Sequence, residues 1–334
     1  MTSAVETEDA ATRREFLAIL AASGLLAACG EDEPAAPATK TRSVATSHGQ
    51  VRIPAAPRRV VAMHDQLVGY AVASLGFDRL VAVAARDAGD PAVAIRQFGT
   101  VPEGFEGLED IGTYSEPNLE AIARVDPDLI IGLPYEVDRI YRELTRIAPT
   151  AVIDLRKGDR PAFQRQRDLA AIVGVEAELD ERLREYRAAL ESARRRLGGV
   201  AGASYTYLES FGTGAEDNYV IRSRYAPGLM VLEDLGMVPS STTRRFDEEY
   251  NAVSPELLAR YDADVIFIGL PEEAKLDRQI ARLLRSTTAG RAGRVFTVSR
   301  DVWALEVAEA LFVSLDDTER HLGGTEITPA ARFR

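Results

Sequence analysis

The chain has 334 residues, 46% of them hydrophobic, with 40 Lys+Arg against 52 Asp+Glu and a formal charge of −12. That length corresponds to about two domains with a packed core, and the acidic balance withholds the phosphate attraction on which nucleic-acid binding rests, so no nucleic-acid partner is expected. A single cysteine excludes an intramolecular disulfide framework and a zinc site built on several thiolates.

The N-terminus accounts for that cysteine. Arg13-Arg14 stands just before an apolar stretch, Leu17 to Ala28, interrupted only by Ser23 and Gly24. A charged region followed by an apolar one is the layout of an export signal. At about 12 residues the stretch is well short of the roughly 20 that span a bilayer core, so a permanent span is not expected. It ends in Leu26-Ala27-Ala28-Cys29-Gly30, which resembles the lipobox of bacterial lipoproteins. That resemblance implies a diacylglycerol on the Cys29 sulfur, cleavage just before it, and a lipid anchor in the membrane. Arg13-Arg14 with Phe16-Leu17 is similar to a twin-arginine signal, which exports a folded protein, although a general secretory route needs only positive charge there. Residues 29–56, which open with the polar, Pro-rich run Glu31 to Thr39, are expected to form a flexible tether.

From Pro57 the pattern changes. Arg59 to Met63 and Arg79 to Val83 are strand-like, with helical spacing between them over Gln66 to Leu75, ended by Gly76. Asp128 to Gly132 and Thr150 to Asp154 continue the strands, and Glu136 to Ile147 reads as the helix between them. Alternating buried strands and helices predict a mostly parallel, covered sheet of the α/β class. From Pro161 to Leu197 apolar residues recur at helical intervals, with Gly174 separating a short helix from a long one. Strands resume at Ser204 to Leu208, Asp264 to Ile268 and Arg294 to Val298.

An internal repeat ties the two halves together. Asn118 to Ile131 and Ser254 to Phe267 align without gaps at an offset of 136, with six of 14 positions identical. The identities are Glu120/Glu256, Ala123/Ala259, Arg124/Arg260, Asp126/Asp262, Asp128/Asp264 and Ile130/Ile266. Each copy reads as an N-cap residue, a short helix, a turn through Asp, and a strand. The expected organisation is a lobe over 57–160, a connecting helix over 161–198, and a second lobe over 199–334.

The stretch from Gly112 to Ile131, Gly-Thr-Tyr-Ser-Glu-Pro-Asn-Leu-Glu-Ala-Ile-Ala-Arg-Val-Asp-Pro-Asp-Leu-Ile-Ile, and its counterpart Val253-Ser-Pro-Glu-Leu-Leu resemble the lobe signatures of one family. These are the substrate-binding lipoproteins of bacterial ABC importers for ferric siderophores, haem and cobalamin, and the match runs from about Pro57 to Leu315. The resemblance implies two Rossmann-like lobes with mostly parallel sheets joined by one long rigid helix, the helical-backbone periplasmic binding protein fold. It also implies a ligand between the lobes, limited closure, and one glutamate per lobe docking into arginine pockets of the permease. The matching residues are Glu120 and Glu256, each in a first helical turn near a positive dipole end. The implied protein is a monomer with no intrinsic cofactor, lipid-anchored on the extracytoplasmic face of the cell membrane, which captures a ferric siderophore and carries its iron as the chelate.

Loops after strands are where open α/β lobes place ligand groups. They nominate His64 and Asp65, Arg86 and Tyr114 in the first lobe, then Asn218, Tyr219, Arg222, Tyr225, Arg244, Arg245 and Trp303 in the second. A guanidinium fork suits the carboxylate, hydroxamate or catecholate oxygens around ferric iron, and aromatic faces suit the apolar parts. Haem or cobalamin is the alternative ligand within the family. A free-metal carrier would need clustered ligands, and the only histidines, His48, His64 and His321, lie on distant segments. No G-x-S-x-G elbow, G-x-x-x-x-G-K-[ST] loop or C-x-x-C pair points to an enzyme.

Overall fold

The computed structural model describes residues 40–86, 92–99, 101–105, 107–153, 163–211, 219–223, 225–245, 250–271 and 274–329. Arg13, Arg14 and Cys29, and hence the export signal and lipidation site, lie outside the described residues, as does Asn218. The expected tether is too long as drawn. Its last part forms an antiparallel hairpin, β1 (Thr41–Thr46) and β2 (Gly49–Pro54). The hairpin is fastened to the first connecting helix and to the first lobe: Arg42 donates to the carbonyls of Ala171 and Ile172 on that helix, at 2.6 and 2.5 Å, and Ser47 N–H donates to Val152 O in the lobe. His48 stacks on Tyr141 and hydrogen-bonds Asp138.

In the first lobe, β3 (Val60–Ala62), β4 (Leu80–Ala85), β5 (Glu109–Thr113), β6 (Leu129–Gly132) and β7 (Thr150–Val152) form an all-parallel sheet in the order β5-β4-β3-β6-β7. Apart from the edge strand β5, its strands are buried on both faces, as continuous apolar runs require. Val60, Ala62, Leu129 and Ile131 face one apolar cluster, and Val61, Met63, Ile130 and Val152 face another.

The second lobe repeats the parallel part with β8 (Ser204–Ser210), β10 (Val238–Pro239), β12 (Val265–Leu270) and β13 (Val295–Ser299), and adds antiparallel β9 (Tyr219–Arg222) and β11 (Tyr250–Val253). One edge of β8 is shared. Parallel β10 pairs with its start and antiparallel β9 with its end, at Leu208 to Ser210.

The repeat is visible in three dimensions. Asp128, before β6, accepts from the backbone N–H groups of Arg58 and Arg59 at the entry to β3; Asp264, before β12, accepts from Ser204 N–H and Oγ at the entry to β8. In both lobes a carboxylate staples the starts of the two central strands.

The connection between lobes is two helices. Gln164–Val173 packs on the first lobe and ends at Gly174, whose φ of 82° is the left-handed cap conformation glycine supplies. Glu176–Arg196 follows, 21 residues and so about 31 Å long at ~1.5 Å per residue. Its acids lead and its arginines trail, matching the helix dipole. Leu179, Leu183, Tyr186, Leu190 and Ala193 form its buried stripe, and Arg182 grips Glu309 of the C-terminal helix Ala308–Leu322 with two 2.6 Å bonds. Among the described residues no helix is long and apolar enough to cross a membrane.

Gln166 joins both sides. Fully buried, it donates from Nε2 to Ala71 O in the first lobe and accepts at Oε1 from Ala308 N–H at the start of the C-terminal helix, both at 2.8 Å. Gln166→Leu would orphan two buried backbone groups at about 1–3 kcal/mol each. We expect this variant to lower the thermal midpoint markedly. Gln166→Glu, of the same shape, is expected to be destabilised too, because it loses the donor to Ala71 O. Calorimetry of both variants checks this.

Candidate functional site

The C-terminal ends of the parallel strands of both lobes converge. From the first lobe come His64 and Asp65 after β3, Arg86 after β4, Tyr114 after β5, and Tyr135 and Glu136 after β6. From the second come Glu209, Ser210 and Phe211 at the end of β8, and Arg300 and Asp301 after β13. They meet across the lobes where Arg86 Nη1 donates to Asp301 Oδ2 at 3.1 Å.

His64 is the N-cap of a wide π-helical turn, Asp65–Tyr70, that leads into Ala71–Ala73. Its Nδ1 accepts from Gln66 and Leu67 N–H at 3.2 Å, which leaves the proton on Nε2. Burial is the main cause that keeps the imidazole below its ordinary pKa, against the pull of Asp65. The ring stacks on Tyr114 with centroids 4.6 Å apart. Tyr114 is held by the turn that begins at Gly112, whose φ is 82° and where a Cβ would stand 2.6 Å from Glu116 O. Burial, then Asp65, pushes the Tyr114 phenol up to about 12, so it stays protonated. Arg86 lies beside it, bonded to Tyr114 Oη (3.3 Å) and Gln66 Oε1 (2.8 Å) as well as Asp301.

Arg300 completes the bridge. It donates to Asp301 at 2.8 Å and to Ser210 O, and stands over the Phe211 ring. Burial alone would raise Asp301; Arg300 and Arg86 outweigh it and hold the carboxyl below its usual range. Farther into the second lobe, Arg222 faces buried Glu209 at 3.3 Å, donates to Tyr225 O, and lies 4.8 Å over the Tyr250 ring. A cavity of about 230 Å³ adjoins it, lined by Tyr205, Tyr207, Arg222, Ser223, Pro239, Thr243 and Arg244. Arg165, from the first connecting helix, pairs with Glu306 at 3.5 Å, yet its Nε is buried without an acceptor.

The cleft therefore gathers His64, Arg86, Tyr114 and Arg222; Tyr225 adjoins Arg222 through its backbone carbonyl, Arg244 lines the cavity, and Arg245, the next residue in the chain, is exposed. Two nominated residues are corrections. Trp303 is fully buried, donates from its indole to Asp317, and packs on Phe267 and Tyr207, so it is core. Tyr219 is buried in the apolar cluster on the outer face of the second sheet with Leu208, Ile221 and Val253. Arg165, Glu136, Tyr207 and Arg300 escaped the sequence reading. Of these, Arg300 and Glu136 follow strands and could have been found by the same rule that nominated Arg86. Among the described residues no group of three or more His, Cys, Asp or Glu is placed to hold a metal ion.

The family model described as periplasmic binding protein matches residues 72–302. The chain belongs to the periplasmic binding protein family. It is 25% identical over 308 residues to YhfQ of Bacillus subtilis, a lipoprotein assigned provisionally to ABC-transporter substrate binding, covering 87% of this chain and 91% of that one. It is 26% identical over 265 residues to the Fe(3+) dicitrate-binding periplasmic protein FecB of Escherichia coli, covering 78% and 83%. Among solved structures, Staphylococcus aureus SirA complexed with staphyloferrin B superposes with a TM-score of 0.66 at 19% identity, covering 84% of this chain and 98% of SirA. The two-lobed α/β fold is thus that of this binding-protein family.

Glu136 provides a pH test. Its Oε2 accepts from Leu133 N–H, but burial, the dominant cause, pushes the carboxyl up to about 9. The folded protein therefore holds a proton that the unfolded chain releases near the ordinary carboxylate value, and stability falls as pH rises between those two values. Glu136→Gln should flatten this slope, with a thermal midpoint above wild type at pH 8 and converging with it near pH 4; melting curves across that range decide it.

Proposed function

We infer that the protein is the extracytoplasmic solute-binding component of an ABC importer, which captures a ferric siderophore between its two lobes and delivers it to a membrane permease. The observation that carries this reading is the meeting of both sets of strand ends at the Arg86–Asp301 bridge, in a cleft lined with arginines and aromatic rings and built on the family's fold. Chelate oxygens suit Arg86, Arg222, Arg244 and Arg245, and apolar chelate arms suit the faces of His64, Tyr114 and Tyr225. Capture and delivery require no bond to be made or broken, so the site is one of binding rather than catalysis. The relatives' lipoprotein character supports anchoring through Cys29 at the outer face of the cell membrane, with a single copy of the chain acting as carrier.

Titration of the full chain with ferric siderophores, haem and cobalamin, followed by intrinsic fluorescence and calorimetry, tests the reading. Saturable binding of a ferric siderophore is expected. Binding of haem or cobalamin alone selects that alternative, and silence toward all of them overturns the carrier reading. Arg86→Ala should weaken siderophore binding about tenfold or more, the effect of losing a charge-assisted hydrogen bond.

Docking to the permease falls to Glu120 and Glu256. Both are exposed, both lie in a first helical turn at equivalent repeat positions, and among the described residues neither side chain makes a hydrogen bond or ion pair. Double charge reversal, Glu120→Arg with Glu256→Arg, should abolish uptake by cells while leaving siderophore affinity unchanged. Retained uptake would remove these residues from the permease contact.

A further inference from the structure

One carboxylate in the cleft serves two cations from opposite lobes. Asp301 Oδ2 accepts from Arg86 Nη1 at 3.1 Å, and Asp301 Oδ1 accepts from Arg300 Nε and Nη2 at 3.1 and 2.8 Å. The other cleft arginines each face an acid of their own, Arg222 with Glu209 and Arg165 with Glu306. Asp65 lies beside Arg86 but spends its oxygens on the backbone N–H groups of Gln66 and Arg86 rather than on a guanidinium. The remaining hydrogen bonds of Arg86 and Arg300 go to uncharged groups, Gln66 Oε1, Tyr114 Oη and Ser210 O. Among the described residues Asp301 is therefore the sole ion-pair partner of both.

The three groups are not equally open. The Arg86 side chain is 36% exposed, whereas that of Asp301 is 8% exposed and nearly covered. The short turn that carries Asp301 is fixed, since Ser299 caps it by accepting from Val302 N–H and Trp303 of the same turn is sunk into the core against Gly228. A ligand that reaches Arg86 thus meets a guanidinium whose charge is already offset. In a partly buried site a unit charge this close is only weakly screened by solvent. Loss of the Asp301 charge without loss of its shape makes the cleft more positive by one unit, and loss of the Arg300 charge makes it less positive by one.

We propose that Asp301 is a specificity-determining residue of the capture site: its carboxylate offsets the guanidiniums of Arg86 and Arg300, and so sets how strongly the cleft prefers an anionic ferric chelate over a cationic one. The proposal rests on the ferric-chelate reading above and adds a residue that works against the arginines of that reading. A merely structural Asp301 would hold Arg86 and the lobes in position, and its loss would weaken every ligand alike. A charge-setting Asp301 moves ligands of opposite charge in opposite directions.

The test titrates the full chain and the variants Asp301→Asn and Arg300→Gln calorimetrically with ferric citrate, which is anionic, and ferrioxamine B, which is cationic through its free amine. Asparagine keeps the shape and one acceptor oxygen of Asp301, and glutamine keeps a donor toward it. In Asp301→Asn the affinity ratio of ferric citrate to ferrioxamine B is expected to rise about fivefold or more over wild type, and in Arg300→Gln it is expected to fall by a similar factor. A ratio that stays constant in both variants, or moves the same way in both, overturns the proposal and leaves the chelate reading in place. If only one of the two chelates binds, opposite shifts of its affinity in the two variants support the proposal and shifts in one direction overturn it. A ligand-free arm decides the case in which neither binds and the chelate reading falls. Asp301→Ala clears the carboxylate from between the guanidiniums, so formate should raise its thermal midpoint but not that of wild type or of Asp301→Ala combined with Arg86→Gln. That response keeps Asp301 as the offsetting charge, and its absence overturns both readings.

Discussion

The two sheets share one hydrophobic cluster that passes from Val60 and Leu129 in the first lobe, through Leu169 and Leu183 of the connecting helices, to Tyr207 and Phe267 in the second. Everything else in the molecule is arranged around that continuity. Lobes with separate cores can swing apart at the cost of a small interface, whereas here wide opening would expose apolar area shared by both, at about 25 cal/mol per Å². Gln166 adds a directional constraint at the crossing point, since its amide is satisfied only while Ala71 and Ala308 keep their spacing. Arg182 and Glu309 do the same farther along the long helix. The cleft is therefore preformed, and ligand entry must be accommodated mainly by side chains and loops rather than by a large domain rotation.

Within that frame the cleft cations are held before any ligand arrives. Arg86 and Arg300 share Asp301, Arg222 faces Glu209, and Arg165 leans on Glu306. Four guanidinium groups in one partly buried space would repel one another without these acids. The pairing fixes each fork in place and lowers the ordering cost of binding. It also means that an anionic ligand exchanges one partner for another, so its net gain is smaller than a count of arginines suggests. The Arg86–Asp301 pair has the further property of spanning the lobes, so a chelate that takes over Arg86 alters a contact between them.

Much of the fold was legible because its strands are short apolar runs that tolerate burial on both faces, and because the repeat carries its own staple in Asp128 and Asp264. The hairpin over Thr41–Pro54 was hidden by the Pro-rich run before it, although Val44, Val51 and Ile53 alternate as a half-buried strand does. The site was only partly legible. The rule that ligand groups follow strand ends finds positions, but it does not say which way a side chain turns. Trp303 lies one helical turn past β13 and points into the core, where Gly228 makes room for its ring, while Arg300 and Asp301 of the same turn face the cleft. Tyr219 and Arg222 sit on one strand, yet Tyr219 joins the outer apolar cluster and Arg222 reaches Glu209. Arg165 does not stand at the end of a strand and enters the cleft only because the connecting helix carries it there.

The identities of the repeat separate into those the fold explains and those it does not. Asp128 and Asp264 bind the entry of the neighbouring strand. Ile130 and Ile266 fill the outer apolar cluster of their respective sheets. Asp126 adopts the left-handed turn with φ of 45°, and Asp262 accepts from Thr288, so each closes a local bend. Glu120 and Glu256 have no such role. They complement a helix dipole that many residues could serve, and no intramolecular partner among the described residues holds them. Equivalent acids that stabilise little, one on each lobe, make sense if something outside the chain reads both at once, because a rigid connection fixes the distance between them. That rigidity is the same shared core that preforms the cleft, so a single constraint would serve both the proposed ligand capture and the proposed two-point recognition by a permease.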